Sequence, residues 1–192
     1  MRIILGSQSE ARARVLKKMG YDFEVMVPNI DEKAIRISDP TKLVRFLAIA
    51  KADAILSRVW NQKGLLITAD QVVVCDGTVL EKPENEDDVR RYFALYRIFP
   101  AQTVTSVVVT DIASKVRYHG VDLATIEFQL IPREVLGWYI ATGDPYKHAG
   151  GFDHEHIIIG PYVRSIEGEG DSISGLSRTM TEGLLRTFMR SK

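Results

Sequence analysis

The sequence predicts an α/β (α+β) fold, a mixed twisted sheet with flanking helices. Short apolar runs bounded by turn residues, such as residues 3–5 and 65–69, read as buried strands. Between them, apolar residues recur at helical spacing. Two long Val-, Thr- and Ile-rich stretches, residues 102–110 and 116–130, flank a polar turn and suggest antiparallel strands, which makes the sheet mixed.

At 192 residues the chain can bury one good core, as a single α/β domain or as two small lobes around a cleft. No linker is long enough to demand independent domains, so residues 1–192 are read as one. The 25 Lys and Arg balance the 25 Asp and Glu, and that zero net charge argues against a nucleic acid polymer as partner. Any bound polyanion should be small. The N-terminal apolar run is too short for a signal peptide or membrane span, and the lone Cys75 cannot form an internal disulfide. A cytoplasmic protein that does not engage membranes is expected.

The first strand runs into Gly6-Ser7-Gln8-Ser9, after which Ala11, Val15, Leu16 and Met19 mark a helix that stops at Gly20. Residues 23–27 read as a second strand leading to Asp31-Glu32. Asp39-Pro40 supplies an N-cap and N1 proline for a long helix carrying Leu43, Leu47, Lys51 and Ala54. Strand 65–69 should end at Asp70, before a hairpin in which residues 72–75 and 78–80 flank Asp76-Gly77. Lys82-Pro83 follow, and Asn85 caps a helix with Val89, Phe93 and Tyr96 on its apolar face. Pro132 should begin a helix closing at Gly143. An irregular stretch holding His148, Gly150, Asp153, His154, Glu155 and His156 comes next. Residues 157–159 and 162–166 look like short strands, and Thr179-Met180-Thr181-Glu182 fits a capping box for the last helix.

Ser7, Ser9 and Arg12 could meet phosphate oxygens, since hydroxyls, backbone N–H groups and guanidinium forks at a helix N-terminus suit them. A Ser-capped helix with solvated arginines explains the same residues. Asp31, Glu32 and Asp70 are acids at strand or loop ends, and paired carboxylates can hold a divalent cation or orient water. Lys51 and Lys82 could stabilise phosphate charge, although most lysines are only solvated. His154 and His156 have H-x-H spacing but lack a second ligand cluster, and Cys75 reads as a core thiol.

In this order and context the residues resemble the Maf family of nucleotide pyrophosphatases from residue 1 to about residue 185. The carrying elements are Ser7-Gln8-Ser9-Glu10-Ala11-Arg12, Asp31-Glu32, Ala50-Lys51-Ala52, Ala69-Asp70-Gln71, Glu81-Lys82-Pro83, Thr142-Gly143-Asp144-Pro145, Ala149-Gly150 and Gly175-Leu176. The resemblance implies two lobes around a nucleotide cleft and metal-dependent hydrolysis of a nucleoside triphosphate to the monophosphate and pyrophosphate. It assigns Asp70, Lys82 and Lys51 to catalysis, and Ser7, Ser9, Arg12, Gln71 and Glu155 to substrate binding. Glu32 and Asp70 would hold Mg²⁺, Mn²⁺ or Co²⁺, and a homodimer is implied as well.

Asp70-Gln71-Val72 and the loop Ala149-Gly150-Gly151-Phe152-Asp153-His154-Glu155 look more like the branch acting on 7-methyl-GTP than the dTTP, UTP and CTP branch. Glu10, Ala11, Glu81 and His148 depart from the family pattern. Those departures motivate a second expectation, a weakly catalytic nucleotide-binding regulator of cell division. A third is an interaction protein whose acids and lysines are only surface charges.

Overall fold

The computed structural model describes residues 2–190 of the chain, with side chains through residue 188. Its strands are β1 (Ile3–Gly6), β2 (Glu24–Val25), β3 (Leu65–Cys75), β4 (Thr78–Leu80), β5 (Ala101–Asp111), β6 (Arg117–Phe128) and β7 (Val163–Glu167). The helices are α1 (Glu10–Lys18), α2 (Pro40–Val59), α3 (Glu86–Tyr96), α4 (Arg133–Ala141), α5 (Gly170–Ile173) and α6 (Arg178–Arg190). Among the described residues these strands make one mixed sheet in the order β2-β1-β3-β5-β6-β7, with β4 paired to β3. β1 runs parallel to β2 and β3, whereas β4 on β3 and β7 on β6 are antiparallel. The expected mixed sheet with flanking helices is the observed architecture.

Two compact units emerge. The first comprises Met1–Asp70, Thr105–Asp122 and Gly175–Lys192; the second comprises Gln71–Val104 and Leu123–Ser174. In the first unit the strand period of two sorts side chains onto two faces. Ile3, Leu5, Leu65, Ile67 and Ala69 pack with Val15 and Leu16 of α1 and Leu185 and Phe188 of α6. Ile4 and Leu66 instead meet Ala52, Ile55, Leu56 and Val59 of α2. The core of the second unit is aromatic: Tyr96 and Phe93 meet edge to face at 5.5 Å, and Phe152 stacks edge-on against Tyr96 at 5.6 Å and Phe128 at 5.3 Å.

Local chemistry accounts for most boundaries. Ser9, Asp39 and Asn85 each accept a backbone N–H at the start of α1, α2 and α3. Asp76 and Gly77 both take positive φ, +46° and +70°, which suits a type I′ turn between β3 and β4.

Several sequence expectations change. Asp70 does not end a strand; β3 continues unbroken to Cys75 because Val72, Val73 and Cys75 are buried too. Residues 157–159 form turns rather than a strand, because Gly160 N–H donates to His156 O and Ile158 N–H to His156 Nδ1. The last helix starts at Arg178, capped by Ser177 Oγ on Met180 N–H, ahead of the expected capping box. β2 is only two residues long, with both side chains exposed.

Gly6 is a tight point in the first unit. A Cβ there would lie 2.5 Å from Thr68 Cγ2 and 2.7 Å from Ile55 Cδ1. Gly6→Ala should therefore destabilise the protein by about 1–3 kcal/mol through overpacking, read as a lowered urea midpoint with an unchanged m-value.

Candidate active site

The first unit gathers six of the residues singled out from sequence: Ser7, Ser9, Arg12, Glu32, Lys51 and Asp70. The positioning follows from helix and strand periods. Thr68 and Asp70 lie two apart on one face of β3, and Ala48 and Lys51 lie three apart on α2. Thr68 Oγ1 donates to Ala48 O at 2.7 Å, and Lys51 Nζ donates to Asp70 Oδ1 at 2.5 Å. Lys51 Nζ also lies 3.1 Å from Glu32 Oε2, so two carboxylates converge on one ammonium. Lys51 and Asp70 side chains are each only 7% exposed, while Glu32 is half exposed.

Arg12 is held from three sides. Its Nε donates to Gly175 O at 2.9 Å, and its Nη1 to Ala69 O at 3.0 Å and Ser7 Oγ at 3.4 Å. Ser7 Oγ also accepts Ser9 N–H at 3.1 Å, and Ser9 Oγ accepts Arg12 N–H. Burial lowers the Arg12 pKa, opposed by the charges of Asp70 and Glu32. Burial raises the Asp70 carboxyl above its ordinary value; Lys51 and Arg12 pull it back, and Glu32 adds to the rise.

Glu32 and Asp31 part company here. Asp31 Oδ1 caps the short 3₁₀ turn Glu32–Ala34 by accepting Ala34 N–H, which leaves Glu32 as the member of the pair that meets Lys51. Sequence spacing gave no sign of the Gly175 carbonyl, which lies 163 residues from Arg12 along the chain.

Gln71, Lys82 and Glu155 belong to the second unit. Gln71 Nε2 donates to Ser172 O at 2.8 Å and Ile173 O at 3.4 Å, so its amide orientation is fixed. Lys82 is exposed just after β4. Glu155 is exposed too, and its N–H donates to Asp153 Oδ1 at 3.0 Å. His156 Nδ1 accepts Ile158 N–H and its ring packs on Tyr139, a structural role for one half of the H-x-H pair. Burial depresses the His148 pKa, opposed by Asp144 and Asp153 and helped by Lys82 and Lys147. Cys75 is buried.

The Maf-like protein family model matches residues 2–188. The chain belongs to the Maf family. Relatives of this Maf protein include the 7-methyl-GTP pyrophosphatase of Dictyostelium discoideum, 42% identical over 189 residues and covering 95% of both chains. The 7-methyl-GTP pyrophosphatase of Idiomarina loihiensis is 30% identical, covering 96% of this chain and 93% of its own. The dTTP/UTP pyrophosphatase of Vibrio vulnificus is 31% identical, covering 98% and 99%. No helix among the described residues of this Maf chain is long and apolar enough to cross a membrane.

The buried ion pair yields a pH-dependent expectation. Lys51→Ala would leave Asp70 buried without its counter-charge, costing about 3 kcal/mol at pH 7. A folded-state carboxyl pKa raised above the unfolded value means that stability falls as pH rises through that window. Loss of Lys51 lifts the folded pKa further, so the deficit measured by urea unfolding should shrink as pH is lowered and Asp70 takes up a proton.

Proposed function

We propose that this Maf enzyme hydrolyses 7-methyl-GTP or a similarly modified nucleotide at the α-phosphate, releasing the monophosphate and pyrophosphate. The observation carrying this reading is the convergence of Asp70 and Glu32 on Lys51 beside a partly buried Arg12. The broader class, nucleoside triphosphate pyrophosphatase acting on acid anhydrides, is the one named for relatives of both substrate types.

Arg12 and Lys51 supply positive charge to the triphosphate, joined by Lys82 on the strength of the family resemblance. Ser7 and Ser9 offer hydroxyls at the start of α1. Asp70, its carboxyl pKa raised by burial, orients the attacking water and accepts its proton. Glu32 and Asp70 present oxygen donors at one point, a set suited to Mg²⁺, Mn²⁺ or Co²⁺. When bound there, such an ion would neutralise phosphate charge. Lys51 then stabilises the charge that builds as the pyrophosphate departs. A homodimer in the cytoplasm belongs to the same reading, supported by the resemblance and the single buried thiol.

The 7-methyl-GTP preference rests on the 42% relative and on Glu155. The 7-methylguanine ring is cationic and presents N–H donors, and a carboxylate accepts without donating. Glu155→Gln should lower kcat/KM for 7-methyl-GTP about tenfold or more while changing UTP little, since hydrogen bonds to charged groups are the stronger kind.

Pyrophosphate release from 7-methyl-GTP, UTP, CTP, dTTP, ITP and GTP, each with Mg²⁺, Mn²⁺ or Co²⁺, tests the whole reading. Metal-dependent release is expected, fastest with 7-methyl-GTP, and Asp70→Asn should reduce it by about 10²-fold or more. A pyrimidine nucleotide as best substrate moves the enzyme to the other branch. Near-normal turnover by Asp70→Asn refutes the assignment of that carboxylate.

A further inference from the structure

A second constellation of ligand-type side chains lies in the second unit, next to Glu155, whose N–H donates to Asp153 Oδ1 at 3.0 Å. Asp144, His148 and Asp153 each offer one ligand atom, and the three atoms lie within 4.8 Å of one another. All three residues are partly buried. We propose that Asp144, His148 and Asp153 bind a zinc-class transition-metal ion through one imidazole nitrogen and two carboxylate oxygens.

The spacing favours an ion over a direct hydrogen bond. His148 Nε2 is 3.4 Å from Asp144 Oδ2, beyond the usual N–H···O range of about 2.7–3.2 Å. Zn²⁺ bonds of about 2.0–2.1 Å to nitrogen and oxygen put neighbouring tetrahedral ligands about 3.3 Å apart. The His148–Asp144 pair already stands at that edge length, and an Asp153 carboxylate oxygen lies within 4.8 Å of both ligand atoms.

The backbone around the three ligands is fixed. Asp144 N–H donates to Thr142 Oγ1 at 3.1 Å, just after the glycine that ends α4. Gly150 N–H donates to Glu81 O at 3.1 Å, while Gly150 O accepts Tyr96 Oη at 2.7 Å. Gly150 has φ +70°, and a Cβ there would fall 2.8 Å from Tyr96 Oη and 2.9 Å from Val73, so only glycine fits this anchor. Asp153 N–H donates to Tyr139 Oη at 3.1 Å. The ligands thus sit on a loop pinned at both ends and in the middle, which lowers the ordering cost of binding.

Charge selects the kind of ion. Lys147 Nζ lies 3.3 Å from Asp144 Oδ1, and Lys82 acts on the His148 ring, so two lysines offset the two carboxylates. A hard cation such as Mg²⁺, bound through carboxylate charge, gains little in that field. A borderline metal gains from the imidazole nitrogen as well. Asp144 faces Lys147 with Oδ1 and His148 with Oδ2, so the mostly exposed Lys147 need not be displaced.

Calorimetric titration with Zn²⁺ alone, without nucleotide, tests this independently of the proposed activity. Asp70→Asn should keep a Zn²⁺ site of wild-type affinity, whatever ion the Glu32–Asp70 pair takes up, and His148→Ala and Asp153→Asn should weaken that site at least tenfold. The His148 ring nitrogens of ¹⁵N-labelled protein should shift on Zn²⁺ addition. Asp144→Asn, nearly identical in shape, repeats the test with little change in packing. Absence of Zn²⁺ binding by wild type overturns the proposal. So does unchanged binding in the His148 and Asp153 variants, or loss confined to Asp70→Asn.

Discussion

The first unit is organised around a carboxylate buried in the middle of a strand. Asp70 lies in β3 with Lys51 of α2 against it, and both side chains are almost fully enclosed. Bringing two charges out of water is costly, and such a pair is weak evidence for stability. What it supplies is position. A buried aspartate cannot rotate into solvent, and the ammonium that balances it lies within reach of Glu32 as well. The strand and helix that hold this pair are packed on the apolar residues of β1, β3 and α2, so the paired side chains inherit the rigidity of the core.

Much of this was legible in the sequence because the signals were local. N-capping by Ser9, Asp39 and Asn85 and the Asp76-Gly77 turn depend on a few neighbouring residues, and each stands where its chemistry puts it. Lys51 and Asp70 were identified by motif context. Their direct ion pair was not, because it depends on how a helix row meets a strand face. The strand end expected at Asp70 failed for a related reason: an acid inside an apolar run reads as a terminus, yet tertiary partners can keep it within the strand. Residues 157–159 have the composition of a strand but are captured by turn hydrogen bonds to His156.

The anchors of Arg12 show a further limit. Two of its three acceptors are backbone carbonyls, of Ala69 and Gly175, and a carbonyl leaves no mark in residue identity. The same holds for Gln71, whose amide is fixed by the carbonyls of Ser172 and Ile173. Side chains named from a motif are therefore only half of the site; the other half is main chain supplied by segments far away in sequence.

In the proposed reaction, water oriented by Asp70 attacks the α-phosphate of the nucleotide. Turnover in ¹⁸O-labelled water followed by ³¹P NMR tests it most directly. Label in the nucleoside monophosphate, with unlabelled pyrophosphate, is the predicted result. Label in pyrophosphate, or release of orthophosphate and a nucleoside diphosphate, would contradict it.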